Sequence, residues 1–95
     1  MQKHLQQHLP IIQRTIEALE SGNLVMCRIH GSQGEATFYG TTELLEAYHC
    51  CAIAASIGYA NEGSMTDAVS LLNEAEKTLP RSVVLELLNY INLFL

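Results

Sequence analysis

The spacing of small residues between Ala52 and Pro80 constrains the fold of this chain more than any other feature of its sequence. Ala52, Ala55, Ser56 and Tyr59 recur at positions i, i+3, i+4 and i+7, which places them on one side of an α-helix. A second group follows along the chain and consists of Gly63, Ala68, Leu72, Ala75 and Pro80. Because small side chains at a helix crossing let two backbones approach closely, the segment predicts two antiparallel helices joined by a short turn.

This spacing resembles a single tetratricopeptide repeat over about residues 49–82, a helix-turn-helix unit of about 34 residues. The positions that match the family pattern are Tyr59, Gly63, Ala68, Ala75 and Pro80. Leu72 stands where the family has an aromatic residue. Alanine, alanine and serine at positions 52, 55 and 56 replace a large aromatic, a leucine and a glycine. The resemblance implies a protein that binds another protein.

The length and charge of the chain limit the classes of protein to which it can belong. With 95 residues, of which 48% are hydrophobic, the chain has room for one domain, residues 1–95, and it is too apolar for a disordered protein. The net charge is −5, and the five lysines and arginines form no basic stripe. Since nucleic acid binding depends on such cations, we expect no nucleic acid partner, and an anionic membrane surface is disfavoured too.

Cysteine usage and hydropathy predict a cytoplasmic protein. No apolar run reaches the roughly 18–20 residues of a membrane-spanning helix, and the N-terminus lacks the apolar core of a secretory signal. Three cysteines without a framework spacing favour a reducing compartment.

The rest of the chain predicts a mainly α (α+β) fold. A first helix starts at Pro10 and ends at the Ser21-Gly22-Asn23 turn. Two short segments, 24–30 and 35–39, flank Gly31-Ser32-Gln33-Gly34 and predict a β-hairpin over residues 24–39. Helices over about 43–60 and 64–79 form the helical hairpin, and a closing helix runs from Ser82 to Leu95.

The closing helix is apolar over most of its circumference, which indicates a largely buried element. Its polar residues form a narrow strip, so we expect its apolar side to associate with another chain. The predicted interface residues are Leu88, Ile91 and Phe94. A homodimer or an obligate hetero-complex would follow from this.

Two groups of cysteine and histidine residues are weak candidates for a metal site or a catalytic site. Cys27, His30, His49 and Cys50 supply ligand types for zinc, but consecutive helical residues diverge by about 100°, so small buried cysteines and surface histidines are the favoured interpretation. His49 next to Cys50 and Cys51 lacks an orienting acid. We therefore expect no metal, no cofactor and no enzymatic activity.

The helix over residues 43–60 offers a candidate partner-binding groove. If the resemblance holds, its groove side carries Glu46, Cys50, Ile53, Ile57, Ala60 and Asn61. Apolar groove walls suit an amphipathic partner helix. The alternative is that Ile53 and Ile57 pack as ordinary core.

The sequence thus predicts a non-enzymatic adaptor or small chaperone that holds an apolar partner helix. Small tetratricopeptide-like proteins of this size include chaperones of type III secretion needle subunits; the sequence contains no motif specific to them, and a role in secretion is one concrete form of this hypothesis. The alternative function is a dimeric regulator or inhibitor that contacts its target through an acidic surface.

Overall fold

A computed structural model describes residues 2–40 and 45–92, with side chains described for residues 10–40, 45–86 and 89. These residues form α1 (Gln2–Ser21), α2 (Leu24–Phe38), α3 (Leu45–Asn61), α4 (Met65–Ala75) and α5 (Arg81–Asn92). The central element is α3, which contacts each of the other four helices. No described helix is long and apolar enough to cross a membrane.

The first helix begins earlier than the sequence predicts. Pro10 lies inside α1 rather than at its start, so one backbone hydrogen bond of the helix is missing at that residue. The predicted turn is present: Gly22 adopts a positive φ of 70° after α1. The Asn23 side chain then caps α2 by accepting a hydrogen bond of 3.2 Å from the Met26 N–H.

The predicted β-hairpin over residues 24–39 is wrong, and with it the α+β fold class. Residues 24–38 form one continuous helix, and the part of the chain that the structure describes contains no strand. The prediction treated Gly31 and Gly34 as turn residues. In the structure, Cys27, Gly31, Gly34 and Phe38 recur at i, i+4, i+7 and i+11 and form the buried side of α2.

Glycine is required on α2 because the backbones of α2 and α3 touch. A Cβ atom on Gly31 would lie 2.5 Å from the Ala55 nitrogen and 2.8 Å from the Cys51 carbonyl oxygen. A Cβ atom on Gly34 would collide with the Cys51 sulfur, and one on Gly58 of α3 with the Arg28 backbone. Each glycine costs about 1 kcal/mol of helix propensity, which the close approach offsets through packing.

The helices on either side of Gly63 are present as the small-residue spacing predicts. Gly63 has a φ of 86°, and the Tyr59 carbonyl accepts a 2.9 Å hydrogen bond from the Ser64 N–H to close the turn. Ala68, Leu72 and Ala75 of α4 are fully buried. Ser64 precedes α4 at its N-cap position, and its side chain makes no capping hydrogen bond.

The closing helix covers the end of the core that α2, α3 and α4 share. One hydrophobic cluster joins α2, α3, α4 and α5, and its buried residues are Phe38, Tyr48, Cys51, Ala52, Ala75, Leu79 and Val84. Leu79 precedes Pro80, after which α5 begins at Arg81. The last three residues of the predicted closing helix, 93–95, lie outside the described residues.

Candidate binding cleft

A cleft runs along α3 between α2 and α4. One end is an open recess of about 430 Å³ lined by Ser32, Glu35, Tyr59, Asp67, Ser70, Leu71 and Glu74, which we call the acidic end. The other end is a recess of about 220 Å³ lined by Phe38, Tyr39, Gly40, Leu45, Tyr48, Glu74, Lys77 and Thr78, which we call the aromatic end. Glu74 lines both recesses, so they are two parts of one surface feature.

The cleft follows from the pattern of α3. Tyr48, Ala52, Ala55 and Tyr59 recur at i, i+4, i+7 and i+11 and therefore share one side of the helix. The two alanines are fully buried, whereas the tyrosines at either end reach the two recesses. Glycine on α2 and alanine on α4 hold both neighbouring helices close to α3, and the walls of the cleft rise on either side.

Carboxylates of like charge face each other at the acidic end. Burial, and then the charge of Glu74, raise the pKa of Glu35 above its usual value. Asp67 lies in the first turn of α4, where the helix dipole stabilises a negative charge. Within the described part of the chain, neither Glu35 nor Asp67 has an ion-pair partner. The acidic end therefore holds negative charge that the chain itself leaves uncompensated.

Glu74 links the two walls of the cleft. Its Oε1 atom accepts a 2.9 Å hydrogen bond from the Tyr39 hydroxyl, which follows α2, and a 3.1 Å hydrogen bond from Lys77. These two hydrogen bonds, that of Tyr39 first, lower the pKa of Glu74. The Tyr39 ring packs edge-on against Tyr48 with 6.0 Å between the ring centroids. Burial raises the pKa of Tyr48 to about 12, so this phenol is neutral at physiological pH.

Arg28 fixes Tyr59 at the far end of the acidic recess. Its guanidinium lies 4.4 Å from the centroid of the Tyr59 ring and donates a 3.2 Å hydrogen bond to the Ser32 hydroxyl. Its Nε atom is 3.6 Å from a Glu62 carboxylate oxygen, which is ion-pair range but beyond a hydrogen bond. The cation of Arg28 is thereby already engaged by ring and carboxylate.

The predicted groove residues lie on the side of α3 that faces away from the cleft. Ile57 is 9% exposed and Ala60 is 4% exposed, Ala60 in contact with Ala68 and Leu72 of α4. Ile53 is half-buried against the cluster that contains Val84. The other predicted groove residues are surface or half-buried, namely Glu46, Cys50 and Asn61.

The predicted oligomer interface falls where the structure gives no side-chain description. The side chains of Leu88 and Ile91 are not described, and Phe94 lies outside the described residues. Self-association through these residues stays a prediction.

The candidate zinc ligands are not brought together. His49 shares a 2.7 Å hydrogen bond with the Thr78 hydroxyl next to α4, whereas His30 lines a shallow recess against α1. Cys27 is buried. Burial raises the pKa of the Cys27 thiol and that of the Cys50 thiol. Among the described residues, no group of three or more histidine, cysteine or acidic side chains is placed to hold a metal ion.

Comparison with known protein families, with characterised proteins and with solved structures finds no match. The resemblance to a tetratricopeptide repeat therefore stays a prediction. The cleft itself was not predicted, because the hairpin assignment removed α2 as its wall. The available signal was the recurrence of Cys27, Gly31, Gly34 and Phe38 at helical spacing.

Proposed function

We propose that this chain is a non-catalytic protein-binding module whose cleft holds a partner helix with basic side chains. The observation that carries the proposal is the acidic end of the cleft, where the charge of Glu74 acts on Glu35 and where neither Glu35 nor Asp67 has an ion-pair partner among the described residues. A cation placed between these groups would relieve their mutual repulsion. The chain's net charge of −5 adds a field that attracts such a partner.

The shape of the cleft supports a helical partner. Tyr48 and Tyr59 mark its two ends and lie eleven residues apart on α3, which corresponds to roughly 16 Å along the helix axis. A groove between two helices accepts the side chains of a third helix that recur at helical spacing. A nucleic acid is disfavoured here because its phosphates would face the three carboxylates.

This proposal refines the adaptor or small chaperone that the sequence predicts. The partner helix remains amphipathic, but its polar contacts are cationic and its binding surface lies between α2 and α4. A cytoplasmic chaperone for a secreted subunit, as the tetratricopeptide resemblance implies, is one protein of this kind. The proposal does not depend on that resemblance, since the cleft is formed by α2 together with the helical hairpin.

A peptide-binding experiment tests the proposal. The probe is a fluorescein-labelled, C-terminally amidated helical peptide of alanine, leucine and arginine with the arginines on one face. Its counterpart carries glutamate at the same positions. Fluorescence anisotropy should show binding of the arginine peptide only, weakened about 3–10-fold by Glu35→Gln with Asp67→Asn, since exposed ion pairs contribute about 0.2–1 kcal/mol each.

The matched control removes the same charge elsewhere. Glu20 on α1 and Glu86 on α5 are exposed and line neither recess, so Glu20→Gln with Glu86→Gln should leave the affinity within about twofold. Equal weakening by both double variants would mean that only net charge matters, and the cleft would lose its role.

A dimeric regulator is the second candidate, and one observation favours it. Val25 and Ile29 lie one turn apart on the outer side of α2 and are 57% and 48% exposed. Analytical ultracentrifugation of the unaltered chain, compared with Val25→Ser and Ile29→Ser together, tests it. A dimer that the double variant abolishes would support the regulator, and a monomer at micromolar concentration would remove this candidate.

A further inference from the structure

We infer that the partner helix carries two anchors about seven residues apart on one face, an apolar side chain for the aromatic end of the cleft and a cation for the acidic end. This inference rests on the proposed function and specifies the partner class. It follows from the different chemistry of the two recesses and from the contact that separates them.

The aromatic end fits one apolar side chain rather than a whole small molecule. Its volume of about 220 Å³ lies below the range of roughly 300–1,000 Å³ that is typical of small-molecule sites. Phe38 and Tyr48 are buried at its base, and Tyr39 and Leu45 form its rim. An aliphatic or aromatic side chain that entered here would be removed from water against largely apolar atoms.

The acidic end selects a cation. Glu35 and Asp67 stand on opposite walls, with the hydroxyls of Ser32 and Ser70 beside them. Arg28 already covers the ring of Tyr59, so the partner's cation would bind to the carboxylates rather than to that ring. An arginine suits the site best, because its planar fork donates hydrogen bonds to carboxylates and hydroxyls at the same time.

The Tyr39–Glu74 hydrogen bond separates the two recesses. It joins the end of α2 to α4 across the cleft, and Lys77 donates to the same oxygen of Glu74. A partner helix would lie over this contact and send one side chain down on either side of it. The lining residues of the two ends lie about five residues apart along α2, about six along the α4 side and eleven along α3, so the anchors are separated by roughly 11 Å, or about seven residues of helix.

Two labelled peptides of identical composition test the spacing. Both are alanine-rich, amidated helices with one phenylalanine and one arginine pair, separated by seven residues and therefore on one face in the first, and by nine residues and therefore on opposite faces in the second. The first should bind about tenfold more tightly, since only it reaches both recesses on one face. Equal affinities, with binding still weakened by Glu35→Gln and Asp67→Asn, would overturn the two-anchor inference alone.

The variant Tyr39→Ala provides a second readout. Tyr39 is 57% exposed and forms part of the rim, so its removal should leave the fold intact and reduce the tenfold preference to about twofold. A preference that survives Tyr39→Ala unchanged would contradict the assignment of the aromatic end. Absence of binding by either peptide, at concentrations where the arginine face peptide also fails, would overturn the proposed function together with the inference.

Discussion

The central helix α3 meets α2 through backbone atoms and meets α4 through side chains. On the α2 side, Gly31 and Gly34 lie directly against the Cys51–Ala55 turn. On the α4 side, Leu72 fills the space beside Ala60 and Ala68. A contact built on backbone atoms has no side chain that can adapt, whereas a contact built on leucine can partly relax. The two sides should therefore respond to substitution in opposite ways.

The largest effect is expected at the α4 contact. Leu72→Ala removes a fully buried side chain and should lower the free energy of unfolding by about 2–5 kcal/mol, measured by urea denaturation. Its neighbour Leu71 is half-buried and lines the cleft, so Leu71→Ala should cost less than half as much. Equal losses would show that α4 does not dock on α3 through Leu72.

The second-largest effect on the free energy of unfolding is expected at the contact between α2 and α3. There, replacing glycine by alanine should destabilise the fold. In an exposed helix, alanine in place of glycine stabilises by about 1 kcal/mol. At Gly31 the added methyl would meet the Ala55 nitrogen, so Gly31→Ala should instead destabilise by about 1–3 kcal/mol. The exposed Gln33→Ala on the same helix is the control and should be neutral. A more stable Gly31→Ala protein would mean that α2 and α3 are not in backbone contact.

The glycines also show how much of this fold can be predicted from sequence. Ala68, Leu72 and Ala75 combine helical spacing with side chains that favour helix, so α4 could be predicted from the sequence, although it ends at Ala75 rather than at the predicted residue 79. Gly31 and Gly34 recur at helical spacing, but glycine is also the residue that favours turns. The β-hairpin prediction followed the turn preference of glycine and was wrong. Only the close packing of α2 against α3 shows why glycine is needed at these two positions.

The wrong β-hairpin prediction is also the reason why the cleft could not be predicted from the sequence. Its acidic end needs Glu35 on α2 and Asp67 on α4, two residues that no sequence spacing connects. Placing α2 correctly was the condition for bringing them together. The sequence predicts a groove at Ile53 and Ile57 from their apolar character, and the same apolar character buries Ile57 in the structure.

Thiol labelling compares the two sides of α3 directly. Cys51 is fully buried under Gly34, and burial raises its pKa to about 11, whereas Cys50 is half-exposed on the other side. Under native conditions at pH 8, Cys50 should react first with a disulfide reagent, and Cys51 only at the rate of local opening. Mass spectrometry after partial labelling identifies the modified residue. Cys51 modified as fast as Cys50 would indicate an open α2–α3 contact.

The smallest effect is the pH dependence of stability at the acidic end. The folded-state pKa of Glu35 is raised above 4.5. Between pH 4.5 and that folded-state pKa, the folded protein therefore binds more protons than the unfolded chain. Stability contributed by Glu35 is present below about pH 4.5 and is lost as the pH rises through the folded pKa. Glu35→Gln should therefore gain stability relative to the unaltered chain between pH 4.5 and neutrality.

Carboxyl ¹³C titration gives the site-specific check. Glu35 should titrate above 4.5 and Glu74 below it, because Tyr39 and Lys77 donate hydrogen bonds to Glu74. The reverse order would mean that the two carboxylates do not face each other across the cleft.

The central claim is that a basic helix binds on the side of α3 that carries Tyr48 and Tyr59. Intermolecular nuclear Overhauser effects between the isotope-labelled chain and the unlabelled arginine peptide test it most directly. We predict contacts from the peptide to the ring protons of Tyr39 and Tyr59 and to the methyl groups of Leu71, all of which line the cleft. Contacts to Ile53 and Cys50 instead, on the opposite side of α3, would contradict the account.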